Sequence, residues 1–566
     1  MQETSFGKAG ECGYRPGKPM SIAKLAILVA LGTAVACGDR TPPVLGEVTL
    51  AQPSEHTPLA ALLTFSTDEP GRVSLEIADG DRTWSVTPVD DYRTDHEIPV
   101  LGLRPDRSHD VTVVVSDEAG NESSAPPVTI RTDPLPENFP PLDVRVSKPA
   151  AMEPGVTLFG MFRWPDGGRP DQTFGLLIAV DAAGDVVWYH RTDEAALLAI
   201  RLQNGNLLYN TSPGGARGAL VEIDLLGNVK HTWRSRAVSA EGLEDAILVD
   251  VDSIHHDVLE LPSGNFAVFS SEIRTFENYP TSDEDPAAPR GTQEVVGDIV
   301  VEFARDGTLV NQWHLLDLVD PYRLGYGSLD TGFWRITYQA LMEDEPDVVD
   351  WAHANALFYD RVEDAYLVAL RHQDAIVKLD RATGQVDWIL GPHSGWNAPW
   401  GELLLQPRGD MAWAYHSHGL EATPQGTLLM YDNGNDRASA FEARLPGSDA
   451  FSRAVEFEVD AEAREVRQVW SYQGSEGEPF YSSFLSDADW LPVTGNVLIT
   501  DGARVTELEG DQGDNDDLPD HQWARILEVT HTAPAETVFE LVIDDDPPSG
   551  WRVYRAGRLP SLYHEQ

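Results

Sequence analysis

The chain has 566 residues and a formal net charge of −51, from 92 acidic against 41 basic side chains, a balance that repels polyphosphate and excludes nucleic acid as a partner. A hydrophobic fraction of 42% with 15 Trp, 16 Tyr and 18 Phe excludes a largely disordered chain, and the length calls for at least two domains. The acidic surplus is spread along the sequence and reads as a solvated surface.

At the N-terminus, Lys24 precedes the apolar run Leu25–Leu31, which leads through small residues to Ala34-Val35-Ala36-Cys37. Residues 1–37 read as a lipoprotein signal peptide with Cys37 as the lipidation site. Met20 alone would open a complete signal. Ordinary signal-peptidase cleavage is the alternative, since Ala34 stands where a leucine is usual. The apolar run is too short to span a bilayer. Cys12 and Cys37 are the two cysteines, so the exported protein is expected to hold one lipidated cysteine and no disulfide. A periplasmic or cell-surface lipoprotein follows, touching the membrane only through its lipid.

Residues 38–134 carry short alternating runs such as ALLTFSTD, RVSLEIAD, HDVTVVVSD and PPVTIRT, with no helical period, which predicts a β-sandwich. The stretch Leu101–Asn121 resembles fibronectin type III domains, with His109 where those domains carry a tyrosine. The resemblance specifies no function for it; a spacer is the plain reading, with a homodimer contact or glycan binding as alternatives. Residues 135–144 form a Pro-rich linker within DPLPENFPPL.

From 145 to 566 the chain runs six times through a β-rich stretch, a turn and an aromatic: Trp188, Trp233, Trp313, Trp388, Trp470 and Phe539. Units of roughly 45 to 80 residues, each with several short strands, are the signature of four-stranded propeller blades. The expected fold class is all-β, a six-bladed β-propeller preceded by a fibronectin type III-like β-sandwich. The longest departure, Leu315–Val349, holds Tyr322, Tyr326, Phe333, Trp334 and Tyr338, either packed in an inserted element or forming a lid. The acidic loop Asp511–Asp520 lacks the spaced ligands and closing Glu of a calcium loop, and no metal is assigned to it.

Between the aromatics lie hairpins with a turn glycine, LQNGNLL, LPSGNFAV, TPQGTLLM and LPVTGNVLI. His256 and His418 stand eight positions before Gly264 and Gly426, and Asp487 stands eight before Gly495. His353 stands six before Tyr359, as His256 stands six before Pro262. If this register belongs to the innermost strands, the three histidines point at one axial spot. Arg371, Asp432, Asp501 and Ser270 occupy matching points of the following strands, and Asn355 joins them, giving a funnel of imidazole, guanidinium, amide and carboxylate. Histidines outside the register, His190, His231, His314, His372, His393, His416, His521, His531 and His564, read as structural. Three histidines are a zinc set, but Arg371 beside them disfavours a dication, whereas an oxyanion suits an Arg fork with His and Asn donors.

The strings SIHHDVLELPSGN, DWAHANALFYD, ALRHQDAIVKLDRATGQVDWILG, HSHGLEATPQGTLLMYDNGN, FSRAVEFEVD and YRAGRLPSLY, in this order, resemble the bacterial aryl-sulfate sulfotransferases that do not use an activated nucleotide sulfate. The resemblance implies a six-bladed propeller and His418 as the histidine that carries the sulfuryl group, with Ser417 where the family has Gln and His416 as the rival nucleophile. It implies His353 and Arg371 as sulfate-binding residues, His256 as a further active-site histidine, and Asn355 as a substrate contact. It also implies ping-pong transfer from an aryl sulfate to a phenol without metal, nucleotide or other cofactor. Two alternatives stay open: a non-catalytic lipoprotein propeller that binds a polymer or protein, and an aryl-sulfate hydrolase.

Overall fold

The computed structural model describes residues 39–88, 91–163, 174–211, 218–237, 245–337, 348–446, 449–475, 478–505, 522–545 and 550–564. The signal sequence with Cys37, Tyr338 and the acidic loop 511–520 lie outside these residues. Among the described residues no helix is long and apolar enough to cross a membrane.

Seven strands between Thr49 and Arg131 build the first domain around one 18-residue strand, Ala61–Ala78. Its first part pairs with Arg93–Val100 and its second part with Ser108–Ser116, the register shifting between Ser66 and Gly71. Burial alternates along it, as the period of two requires when one face meets a core. His109 is fully buried, and its Nε2 accepts a hydrogen bond from the Arg104 backbone N–H at 3.1 Å. Burial holds that imidazole below its ordinary pKa, in the neutral form able to accept.

The remainder is a six-bladed propeller. Blade 1 comprises Val156–Phe162, Gly175–Val180 and Val186–Thr192, closed by Arg552–Leu559 from the far end of the chain. Blade 2 is Ala196–Arg201, Leu207–Thr211, Ala219–Ile223 and Val229–Ser235; blade 3 is His255–Glu260, Phe266–Tyr279, Gly291–Phe303 and Leu309–His314. Blade 4 is Ala354–Asp360, Ala365–Leu370, Ala375–Asp380 and Val386–Leu390; blade 5 is His418–Ala422, Leu428–Asp432, Arg453–Asp460 and Glu465–Tyr472. Blade 6 is Asp487–Trp490, Val497–Val505, Gln522–Val529 and Thr537–Ile543, with Leu142–Ser147 added antiparallel on its outer edge. The end of the Pro-rich segment is therefore strand from Leu142 onward, which leaves that edge paired.

Each repeated aromatic sits on the outermost strand of its four and reaches the next blade. Trp188 Nε1–H donates to Leu225 O at 2.9 Å, Trp233 Nε1–H to Arg305 O at 2.7 Å and Trp470 Nε1–H to Thr532 O at 3.2 Å. Every acceptor lies in the turn between the third and fourth strands of the following blade, so one residue type serves burial and blade spacing together. Apolar clusters fill the spaces between successive blades, as Trp233, Leu208, Val258, Phe266 and Val268 do between blades 2 and 3. The hairpin glycines Gly205, Gly264, Gly426 and Gly495 have φ of 86°, 81°, 79° and 69°, the left-handed region that their turns demand.

Candidate active site

The innermost strands of blades 3, 4, 5, 6 and 1 lie against one another around the axis and carry the candidate residues inward. The pairing register differs from the one counted on the sequence. His418 and Asp487 oppose Tyr431 and Thr500, five residues past their turn glycines, but in blade 3 the residue opposite Phe269 is His255. Two inserted residues bulge between His255 and Val258, and one residue bulges at Asn355 and at Gly419. These bulges, with φ of 54° at His256 and 49° at His353, swing the rings together. Backbone held in this region by a non-glycine residue costs of order 1–3 kcal/mol each, a strain found where surrounding packing over-determines a site.

His256, His353, Arg371, Asn355 and His418 all come to this centre. His256 Nε2 and His353 Nε2 are 3.1 Å apart, and His255 Nδ1 and His256 Nδ1 are 2.8 Å apart. His353 Nδ1 meets Asp350 Oδ2 at 2.5 Å. Arg371, in a short 3-10 turn after the second strand of blade 4, donates Nη1–H to His372 Nε2 at 2.7 Å and Nη2–H to Ser483 O at 3.2 Å. Its Nε–H, fully buried, has no hydrogen-bond partner among the described residues, and neither does Asn355 Oδ1. Asn355 Nδ2–H donates to Ser417 O at 2.9 Å, tying blade 4 to the residue before His418.

His418 is 2% exposed, and its Nδ1 lies 2.8 Å from Asn433 Oδ1. The Asn433 amide has one orientation, because Nδ2 donates to Ser482 O at 2.7 Å and Leu485 O at 3.1 Å. An amide oxygen only accepts, so His418 Nδ1 carries the proton and Nε2 the lone pair. Burial, then the Arg371 charge, pushes this imidazole well below its ordinary pKa, and burial does the same to His256, His353 and His372. His416 is placed differently. Its Nε2 faces Tyr326 O at 3.0 Å and its Nδ1 faces Asp374 Oδ1 at 3.1 Å, so both nitrogens face protein oxygens.

Three further funnel candidates point elsewhere. Asp432 pairs with Arg453 at 2.7 Å and Arg437 at 3.0 Å, and Asp501 pairs with Arg504 at 2.8 Å and Arg525 at 3.1 Å. Ser270 Oγ accepts from the Ser253 N–H. They hold the expected points of their strands, next to the residues that oppose the inner strands, yet their side chains serve structural ion pairs and hydrogen bonds. In their place the axis receives Arg555 from the closing strand of blade 1. Its guanidinium meets Asp257 Oδ2 at 2.8 Å, Asn355 O at 3.2 Å and Asp487 Oδ2 at 3.5 Å, joining blades 3, 4 and 6. Arg555 charge also acts on His256 and His418. In the sequence it stands in the closing string YRAGRLPSLY.

The aromatic segment after blade 3 divides its roles. Trp334 is buried beneath His255, whereas Phe333 is half-buried with its ring centroid 5.3 Å from that of His256 and 4.5 Å from that of His353. An apolar wall thus abuts the imidazoles. Asp350, His353 and His372 bring one ligand atom each within 4.8 Å of one another. Those atoms are engaged within the protein: His353 Nδ1 with Asp350, His372 Nδ1 with Asp350 O at 2.8 Å and His372 Nε2 with Arg371. A guanidinium in contact with the set disfavours a dication further.

Comparison with known proteins gives the family. The family model described as Arylsulfotransferase (ASST) matches residues 144–555, and that of the Arylsulfotransferase Ig-like domain matches residues 48–133. The arylsulfate sulfotransferase AssT of Escherichia coli O6:H1 is 31% identical over 225 residues, covering 34% of this chain and 37% of that protein. The enzyme of the same name from Lelliottia amnigena matches with the same identity and coverage, so the chain spans little more than a third of the length of these relatives. A protein of unknown function from Bacteroides caccae is similar at 12% identity and a TM-score of 0.29, over 71% of this chain and 93% of that one. The first domain is thus Ig-like, and the chain as a whole belongs to the arylsulfotransferase family.

Proposed function

We propose that the protein is an aryl-sulfate sulfotransferase that moves a sulfuryl group from a phenolic sulfate ester to a phenolic acceptor in two half-reactions through an N-sulfohistidine at His418. The observation that carries this reading is the tautomer of His418: Asn433 holds the Nδ1 proton, leaving a desolvated Nε2 lone pair among Arg371, His256 and His353. In the first half Nε2 attacks sulfur, the S–O(aryl) bond breaks and its electron pair leaves on the aryl oxygen. Arg371 Nε–H faces the charge that accumulates on the sulfuryl oxygens. Asn433 Oδ1 faces the Nδ1–H of the sulfated ring as its positive charge builds. The aryl ring lies against Phe333. In the second half a phenol enters, loses its proton and takes the sulfuryl group back by the reverse path. No metal or nucleotide takes part. The roles given to His256, His353, Arg371 and Asn355 follow from their place around the same point.

Export and anchoring belong to this proposal as well: a signal peptide ending at Cys37 would deliver the enzyme to the periplasm or cell surface, with the Ig-like domain as spacer. The test is intact mass after exposure to 4-nitrophenyl sulfate. A gain of about 80 Da, abolished in His418→Ala and discharged by added phenol with release of phenyl sulfate, is expected for a covalent sulfuryl carrier. Inorganic sulfate released without phenol assigns hydrolysis instead, and an unchanged mass with no nitrophenol released removes the enzyme reading.

A further inference from the structure

The site contains a line of four side chains whose hydrogen bonds can be counted. His255 Nε2 faces Ser270 O at 3.2 Å, His255 Nδ1 faces His256 Nδ1, His256 Nε2 faces His353 Nε2, and His353 Nδ1 faces Asp350 Oδ2. A backbone carbonyl only accepts, so His255 Nε2 is protonated and its Nδ1 accepts from His256 Nδ1–H. A neutral His256 then has its lone pair on Nε2, and His353 must supply Nε2–H. Each contact needs one proton. The four contacts need four, and three neutral imidazoles hold three.

Resting on the transferase reading above, we propose that Asp350 stores the fourth proton and, through His353, delivers it to the departing aryl oxide, making Asp350 a positioning and proton-storing residue and His353 the general acid. In the resting form Asp350 is a neutral carboxylic acid donating to His353 Nδ1, and every member of the line is uncharged. As the S–O bond breaks, the aryl oxygen takes the proton from His353 Nε2, and the Asp350 proton moves to His353 Nδ1. The products are a phenol, an N-sulfoimidazolium at His418 and an Asp350 carboxylate facing His353 Nδ1–H. Charge balances: an aryl sulfate anion, neutral His418 and a neutral line give a zwitterionic sulfohistidine, a neutral phenol and a line of charge −1. In the second half the acceptor phenol returns its proton by the reverse shift.

The surroundings suit this storage. Asp350 is 1% exposed, faced by the rings of His353, His372 and His255, by the Arg371 cation and by the carboxyls of Asp298 and Asp330. Burial raises the Asp350 pKa against the lowering influence of His372, Trp334, His255 and Arg371, and burial followed by Asp350 raises that of Asp298 further.

Asp350→Asn provides the test, because a carboxamide donates to His353 Nδ1 in the geometry of the protonated acid but cannot release the proton. With phenyl sulfate, whose leaving group has a pKa of about 10, the first half-reaction should slow by about 10²–10⁴-fold. With 4-nitrophenyl sulfate, whose phenolate leaves without help, the loss should stay below about tenfold. Asp350→Glu should recover part of the phenyl sulfate rate. A second measurement needs no turnover: the infrared carbonyl band of a neutral buried carboxyl group should appear in the wild-type minus Asp350→Asn difference spectrum, because the variant lacks the protonated acid. Equal slowing of both donors, or a difference spectrum with no neutral carboxyl band, overturns the storage role while leaving the transferase reading intact. Wild-type protein that transfers from neither donor overturns both. Should Asp350→Asn not fold, wild-type pH profiles decide: the phenyl sulfate rate should fall as pH rises through the pKa of the Asp350–His353 couple while the 4-nitrophenyl sulfate rate holds, and parallel profiles overturn the proposal.

Discussion

Asn433 Oδ1 lies 2.8 Å from His418 Nδ1, and the amide behind it is clamped by the carbonyls of Ser482 and Leu485. A neutral acceptor in that place fixes the tautomer without adding charge. Asn433→Asp should raise the depressed pKa of His418, because a carboxylate stabilises the imidazolium. The sign follows: imidazolium has no Nε2 lone pair, so the variant should lose activity as pH falls through the raised pKa, while the wild type holds its rate further into acid. Asn433→Ala should cost about 10²-fold or more at every pH, the scale of a lost orienting group in acid–base catalysis. Rate profiles from pH 5 to 9 for the three proteins check both.

Arg371 has two of its donor groups committed to His372 and Ser483, leaving Nε–H for an anion. Lysine cannot reproduce a guanidinium held on three sides. Arg371→Lys should reduce kcat/KM for aryl sulfates by about 10²–10³-fold, comparable to losing an oxyanion donor. Steady-state kinetics with 4-nitrophenyl sulfate and phenol give the number.

Phe333 touches both active imidazoles by ring edge or face yet carries no polar group. In the proposed reaction its contribution is uniform binding of the aryl ring, so Phe333→Ala should raise KM for aryl sulfates about tenfold with kcat little changed. An equal fall in kcat would place Phe333 in the support of His353 instead.

Glu421 and Asp487, on the innermost strands of blades 5 and 6, predict a stability change. Burial, opposed by the Trp490 N–H and reinforced by Asp487, raises Glu421 to about 8, and burial raises Asp487 to about 6. A carboxyl whose folded pKa exceeds its unfolded value binds protons more tightly when folded, so its contribution falls as pH rises from the ordinary glutamate value of 4.5 to about 8. Glu421→Gln should therefore gain thermal stability relative to wild type at pH 8.5 and lose that advantage by pH 5. Unfolding midpoints across this range test it.

Much of the architecture was legible because single residues carry it. The six aromatics mark the outer strands, three of them through an indole that spans to the next blade's turn, and the turn glycines mark the inner hairpins. The site was legible in part. His256, His353, Arg371, Asn355 and His418 converge as expected, although through bulges that spacing alone does not reveal. Asp432 and Asp501 were read as lining the funnel because their positions match Arg371, but neighbouring arginines on the same sheets neutralise them. His372 and His416 read as structural and yet border the site, His372 by supporting Arg371. Asp350 lies three residues before His353, a spacing that gains meaning only once the chain turns back on itself there. Asn433 stood in a recognised motif without a role. Arg555 likewise stood in the closing string YRAGRLPSLY without a role, because only ring closure brings its strand beside residues from blades 3, 4 and 6.

That closure also dictates timing. The strand Arg552–Leu559 completes blade 1 by pairing with Val156–Phe162, and the same strand bears the guanidinium that knots Asp257, Asn355 and Asp487 at the axis. During synthesis those carboxylates and the imidazoles beside them are made well before the cation that reconciles them, so a nascent chain halted short of residue 552 holds every histidine of the centre and no finished cavity. Competence for the proposed transfer should therefore depend on the strand Arg552–Leu559 having been made and docked.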